Sequence, residues 1–273
     1  MTGGFDSQTL FKGNMKRLFL QRNGLILLAY ILVISAIQFY TYNRPNYYTE
    51  PSVFPRLLCF DSTGYGTEVY AMTLPIMVAF FGAGLYREDV NRAMILNQEV
   101  RFGRKAYYYQ QYFTAFIGGG LAGISPFIVS STIFFMVYPM TLPDPIVTQL
   151  NTISPGILYS LYSLHPFVLW LLFGLGIFLI SGILTCLSLT ASYFIAYKYF
   201  EYFFSFVVIY LTPFVFGIIG IIHLGLIPMM LLSHLSSLNG IEWIQTIAFW
   251  LVLVMISGIL FLWKLSNRNS GVD

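Results

Sequence analysis

Charged side chains that could recognise another molecule cluster in one short stretch of this 273-residue chain. The 14 Lys+Arg and 11 Asp+Glu make 25 charges, and eight of them lie between Arg87 and Lys105. If this stretch is a helix, Glu88, Arg92 and Glu99 form one polar stripe. Glu88 precedes Arg92 by four residues, which is the favourable order for an ion pair on a helix. Such a stripe can bind a complementary charged surface on another protein.

An isolated apolar residue, Ile95, projects beside this stripe, while the other apolar residues of the segment fall on the opposite side (Val90, Ala93, Met94, Leu96 and Val100). Two interpretations remain open. The segment is either a short helix along the membrane that inserts Ile95 and the stripe into a partner protein, or a solvated loop that carries positive charge on the cytoplasmic side.

The chemistry of most enzymes is missing from the sequence. It contains no GxxxxGK(S/T) phosphate-binding loop and no HExxH, CxxC or GxSxG motif. The histidines at 165, 223 and 234 are isolated, and Cys59 and Cys186 are too few for a disulfide framework. We therefore expect no catalytic residues, no metal and no cofactor in this chain. With a net charge of only +3, we also expect no nucleic-acid binding.

The amino-acid composition indicates what kind of structure holds the charged stretch in place. Hydrophobic residues make up 57% of the chain and charged residues 9%, against about 25% charged in typical soluble domains. The apolar runs are continuous and long enough for helices that cross a bilayer. The sequence predicts an all-α integral membrane protein with a single transmembrane domain over residues 1–273. Six spans are predicted near residues 24–40, 69–86, 107–137, 166–197, 203–222 and 244–263.

The distribution of Lys and Arg predicts the orientation. Twelve of these residues fall in segments on one side of the predicted spans, and only Arg44 and Arg56 fall on the other. By the positive-inside rule, both termini are cytoplasmic, as an even number of spans requires. This predicts a multi-pass protein of the plasma membrane, and we expect a bacterial one. On this topology Cys59 faces outward in a polar connection, and Cys186 is buried in the fourth span.

Two further elements are predicted outside the spans. From Asp6 onward the N-terminal segment is amphipathic, with Phe11, Met15, Leu18 and Phe19 on one face. It is expected to lie on membrane lipid as an interfacial helix, the alternative being a positively charged flank of the first span. Residues 223–243 are too apolar for an open loop and are expected to form short helices in the outer leaflet.

In the third span, Gly119 and Gly123 have the spacing of a close helix contact.

The predicted span interiors hold no Asp, Glu, Lys or Arg. Ion-driven transport generally uses ionisable side chains at such positions, because a charge there is costly and is retained only for a function. If this chain moves a solute uphill, we expect the energy to enter from a partner.

Four features together resemble the permease subunit of an ABC-2 type transporter. They are the amphipathic N-terminal helix, the six spans with both termini inside, the charged helix between spans two and three, and the apolar helices between spans five and six. The stretch YREDVNRAMILNQEVRFGRKAY, residues 86–107, is similar to that family's coupling helix and the basic start of its third span. The resemblance implies a half-transporter that pairs with a second copy or a sister permease and binds cytoplasmic ABC ATPase subunits. It further implies export of peptides, lipids, polysaccharides or drugs, and in several systems immunity to antimicrobial peptides. The alternative is a non-transporting membrane scaffold or sensor.

Overall fold

The computed structural model describes residues 4–20, 22–43, 52–60, 64–142, 157–194, 200–218 and 240–267. Within these ranges the chain forms α-helices and one short 3-10 turn at Phe54–Arg56, with no strand. The helices are α1 Gly4–Leu20, α2 Arg22–Tyr42, α3 Tyr65–Asn91, α4 Ile95–Phe102, α5 Arg104–Val137, α6 Ile157–Leu164, α7 Pro166–Ser192, α8 Phe200–Ile218 and α9 Gly240–Asn267.

Six of the described helices are long and apolar enough to cross a membrane: α2, α3, α5, α7, α8 and α9. They match the six predicted spans in order, and this composition is compatible with a multi-pass membrane protein. The third begins at Arg104 rather than near 107, and the fourth ends at Ser192 rather than near 197. The short helices predicted within 223–243 fall almost entirely in 219–239, outside the described residues.

The centre of the bundle is the contact among α3, α5 and α7. A methyl group placed on Gly119 would lie 1.7 Å from Thr185 Oγ1, and one on Gly123 would lie 2.0 Å from Ser181 Oγ. Any side chain larger than glycine at either position would therefore collide with α7. The structure confirms the predicted close helix contact at these two glycines and identifies α7 as the partner.

Helices α8 and α9 lie at the edge of this centre. In α8, Ser205 and Ile209 are buried, and in α9 Leu253, Ser257 and Phe261 are buried. The remaining faces of both helices expose large apolar side chains (Phe203, Leu211, Phe214 and Ile218; Leu251, Met255, Ile259 and Leu262). Such faces are suited to contact with lipid or with another membrane-embedded helix.

Helix α1 packs against the bundle. It begins at Gly4 rather than Asp6, and Leu18 is only 1% exposed. The ring of Phe11 lies 5.7 Å from that of Phe113, and the ring of Phe19 lies 5.5 Å from that of Phe81. Met15 packs beside Leu18 in the same apolar cluster. The face that was expected to lie on lipid therefore contacts α3 and α5 instead, because these helices offer it a complementary apolar surface.

Candidate functional site at the connection between α3 and α5

The charged stretch is divided by two bends rather than forming one helix. Helix α3 continues to Asn91, and the chain then turns through Arg92–Met94, where Ala93 has a φ of 51°. The Met94 N–H donates to the Asp89 carbonyl at 2.9 Å, which closes this turn. Gly103, with a φ of 80°, makes the second bend, since glycine adopts that conformation without steric cost. The eight-residue helix α4 is thus held between the ends of two long helices.

The ion pair predicted on this segment is replaced by a tertiary one. Glu88 Oε2 lies 2.9 Å from Arg17 Nη2, so the partner of Glu88 comes from α1. Arg92, the expected partner, is exposed in the turn after α3. The stripe of Glu88, Arg92 and Glu99 does not form, because the bend at Arg92–Met94 separates Glu88 from α4.

Asp89 is the most buried carboxylate of the connection between α3 and α5, with 1% of its side chain exposed. Its Oδ1 lies 2.9 Å from Arg17 Nη1. Its Oδ2 accepts hydrogen bonds from Tyr107 Oη at 2.8 Å and from Gln111 Nε2 at 3.0 Å. Burial acts to lower the pKa of Arg17, but Asp89 and Glu88 outweigh it and raise that pKa above the ordinary arginine value. One buried carboxylate therefore joins α1, α3 and α5.

Further polar contacts at the same level join the other long helices. Arg87 Nε lies 3.4 Å from Glu201 Oε1, which links α3 to α8. Tyr193, just after α7, donates from its hydroxyl to Gln111 Oε1 at 3.5 Å, and its carbonyl accepts from Lys264 Nζ of α9 at 2.9 Å. We call this set the collar: Arg17, Arg87, Glu88, Asp89, Gln111, Tyr193, Glu201 and Lys264. It connects α1 with the long apolar helices α3, α5, α7, α8 and α9.

Helix α4 presents a different face from the one predicted. Ile95 is half-buried and packs with Phe102 against an apolar cluster that includes Leu10, Tyr107 and Phe261. Glu99 is also half-buried. The exposed apolar residues are Leu96 and Val100, with 70% and 87% of their surface accessible. Because the bend at Gly103 turns Ile95 toward the collar, the residue predicted to contact a partner is packed inside, whereas Leu96 and Val100, predicted on the opposite side, are exposed.

The position of α4 relative to the collar follows from α5, the helix that comes directly after it in the chain. Gln111 is a collar residue, and α5 is helical from Arg104 through Gln111. At 1.5 Å per residue, these seven steps place the start of α5 about 10 Å beyond Gln111 along its axis. The last residue of α4, Phe102, adjoins that start, while its first residue, Ile95, packs in the same cluster as Tyr107, so α4 lies at the collar end of the bundle.

Exposed charge around α4 is basic. Lys12, Lys16, Arg92, Arg101 and Lys105 are all exposed. The acidic residues described at this end (Glu88, Asp89, Glu99 and Glu201) are instead wholly or partly buried. Because Glu88, Asp89 and Glu201 are paired inside the collar and Glu99 is half-buried, the surface around the exposed Leu96 and Val100 is basic.

Sequence reasoning identified Glu88, Arg92, Ile95 and Glu99, but it did not identify Arg17 or Gln111. Gln111 carried a usable signal, since a glutamine one turn after Tyr107 in an apolar helix usually needs a buried polar partner. Arg17 carried none, because one basic residue in a basic segment is not distinctive. In the described part of the chain, no three or more His, Cys, Asp or Glu side chains come close enough to hold a metal ion.

No family model, curated protein or solved structure matches this chain. Its fold therefore defines only a class, that of an α-helical protein with six helices capable of crossing a membrane.

Proposed function

We propose that this chain is the permease subunit of an ABC-2 type exporter in the plasma membrane. It moves a hydrophobic or amphipathic substrate, such as a peptide, lipid or drug, and a separate cytoplasmic subunit hydrolyses the ATP. The observation that carries the proposal is α4: a short helix between two bends, at the collar end of the bundle, with Leu96 and Val100 exposed.

The exposed apolar residues of α4 are suited to contact with another protein rather than with lipid. The collar is charged, so it marks the edge of the apolar slab, and α4 lies at this edge, with its last residue next to the start of α5 about 10 Å beyond Gln111. Burial of Leu96 and Val100 by another protein at this edge would stabilise the contact by roughly 1.5–3 kcal/mol for each residue fully buried. The basic residues around them, Arg92, Arg101 and Lys105, favour a partner with acidic groups around an apolar cleft.

The collar supplies the route from such a partner into the spanning helices. Helix α4 joins α5 through Gly103 alone, and α5 reaches Asp89 through Tyr107 and Gln111. Asp89 in turn holds α1. A force on α4 therefore acts on α1, α3 and α5 together. The apolar outer faces of α8 and α9 supply surface for a second copy or a sister permease.

The test is co-purification of a cytoplasmic ATPase with the tagged chain from its native membrane, with the partner identified by mass spectrometry as carrying a GxxxxGK(S/T) loop. We expect Leu96→Asp and Val100→Asp to reduce the recovered ATPase at least tenfold, because each places a carboxylate in an apolar contact. Met140→Asp is the matched control, since Met140 is also exposed but follows α5 at its other end. It should leave recovery unchanged.

The outcome that contradicts the proposal is recovery of the ATPase with both α4 variants, or of no ATPase with the unaltered chain. A partner that lacks the phosphate-binding loop and depends on Leu96 would instead favour the scaffold or sensor function.

A further inference from the structure

The segment Ser52–Phe60, which we call the cap, closes the end of the bundle opposite the collar. All nine of its residues are buried, including Arg56 at 6% exposed and Cys59 at 0%. The sequence predicted that this segment belongs to a polar outer connection in which Cys59 faces outward. The predicted polar surroundings of Cys59 are wrong, because Val53–Phe60 is largely apolar and folds into the main core cluster; that this end of the bundle faces outward stays a prediction.

Specific hydrogen bonds hold the backbone of the cap. At its start, the Val53 N–H donates to the Pro139 carbonyl at 3.2 Å, beyond the end of α5. In its middle, Gln38 Nε2 of α2 donates to the Arg56 carbonyl at 3.1 Å. At its end, the Cys59 N–H donates to Thr67 Oγ1 of α3 at 3.0 Å. The cap is thus fastened to α2, to α3 and to the chain after α5.

Aromatic contacts complete this closure. The Arg56 guanidinium lies 4.0 Å from the ring centre of Tyr138. The ring of Phe60 lies 5.4 Å from that of Phe173 in α7, and the ring of Phe54 lies 6.3 Å from that of Phe135 in α5. These contacts join the cap to α5 and α7 through aromatic rings.

Cys59 has a φ of 67°, a left-handed conformation that is costly for a residue other than glycine. Such a conformation persists only where the surroundings impose it. Here the surroundings are the Thr67 hydroxyl and the apolar core, so the closed cap holds Cys59 in a conformation that it can leave when the cap detaches.

We propose that Ser52–Phe60 is a lid that opens as a unit at the end of the bundle away from the collar, where it uncovers the ends of α2, α5 and α7 for substrate release. Its role in release rests on the proposed exporter function, but its opening does not.

Cys59 is a native reporter of this opening, and Cys186 is an internal reference. Neither cysteine forms a disulfide, and Cys186 is 1% exposed within α7. The experiment follows the rate at which a maleimide labels each cysteine of the full chain in membranes. In the unaltered chain, labelling of Cys59 should be slow but faster than that of Cys186, because local opening of the cap requires less free energy than unfolding of the bundle.

Two variants weaken the fastening without touching either cysteine. Thr67→Val removes the acceptor of the Cys59 N–H, and Gln38→Leu removes the donor to the Arg56 carbonyl. Each should raise the labelling rate of Cys59 about three- to tenfold and leave Cys186 unchanged. Thr73→Val is the matched control, because Thr73 also lies in α3 but bonds to Tyr30 and Val69. It should change neither rate.

Labelling of Cys59 and Cys186 in parallel in all variants would overturn the lid, since the cysteines would then become accessible only by unfolding. A clamp tests the role in release: Ser52→Cys and Thr141→Cys, joined by a short thiol cross-linker across the present 2.8 Å contact of Ser52 Oγ with the Thr141 carbonyl. The clamp should reduce Cys59 labelling and stop ATP-driven turnover of the co-purified complex.

Full turnover by the clamped complex would show that the lid is not a gate, while the exporter function would stand. If no ATPase co-purifies, the exporter function fails, and the labelling rates still decide whether the lid opens.

Discussion

Replacing Arg17 by methionine removes the one guanidinium that contacts both Glu88 and Asp89. Asp89, with a side chain 1% exposed, would then keep only the hydrogen bonds from Tyr107 and Gln111. Removing one partner of a buried ion pair costs about 3–5 kcal/mol. Arg17 is itself 18% exposed and Asp89 retains two donors. We therefore expect Arg17→Met to lower the free energy of unfolding by about 2–4 kcal/mol.

The measurement is a denaturation titration of the full chain in mixed micelles, repeated for Asp89→Asn and for the double variant. Because the two side chains are in contact, the cycle should give a coupling free energy of about 1–3 kcal/mol between them. Lys16→Met is the control, since Lys16 neighbours Arg17 but is exposed. It should change the free energy of unfolding by less than about 0.5 kcal/mol. A coupling below about 0.5 kcal/mol would refute the view that Asp89 holds α1 in place.

The dependence on pH gives this prediction a second check. The pKa of Arg17 is raised in the folded chain, so its contribution is fully present below the ordinary arginine pKa. That contribution is lost only as the pH rises through the still higher pKa of the folded state. The loss of unfolding free energy caused by Arg17→Met should therefore be the same at about pH 6 and about pH 9. If this loss disappeared by about pH 9, Arg17 would not be held as a paired cation.

Three other predictions concern the bundle centre, the collar and the chemistry of the chain. Gly119→Ala should destabilise the chain by about 1–3 kcal/mol through its collision with Thr185, whereas Gly176→Ala, with open space around it, should not destabilise it; both are measured in the same titration. Arg87→Met should lower the free energy of unfolding by about 2–4 kcal/mol because it leaves a buried carboxylate of α8 unpaired, while Arg92→Met at an exposed turn should change it little. The purified chain without a partner should hydrolyse no ATP, and turnover by a preparation free of contaminating ATPases would contradict this.

The six long apolar helices could be predicted from the sequence because each depends on a local property, a long run of apolar residues. The contact at Gly119 and Gly123 could also be predicted, since close packing of helices demands small residues at a fixed spacing. The partner helix could not, because nothing local to α5 identifies Thr185 and Ser181 of α7.

The charged stretch was harder to predict because helical periodicity does not locate bends. Glu88 and Arg92 have the spacing of a helical pair, yet the chain turns at Ala93, and Glu88 binds Arg17, which lies 71 residues earlier. The orientation of α4, with Ile95 inside and Leu96 outside, follows from the second bend, at Gly103. The sequence of the cap indicates burial, although its proline is typical of a loop. Seven of the eight residues from Val53 to Phe60 are uncharged and are either apolar or proline, which favours burial over an open loop.

The collar and the cap are joined by one continuous element, α5. This helix runs unbroken from Arg104 to Val137, 34 residues or about 50 Å. One end adjoins α4 through Gly103, and the other contacts the cap through Phe135 and Tyr138. A tilt of about 5° about its collar end would move the far end by about 4 Å, more than the length of a hydrogen bond. Under the exporter proposal, a partner that displaces α4 therefore needs no separate signal to release the cap, because the same helix carries the displacement from one end of the bundle to the other.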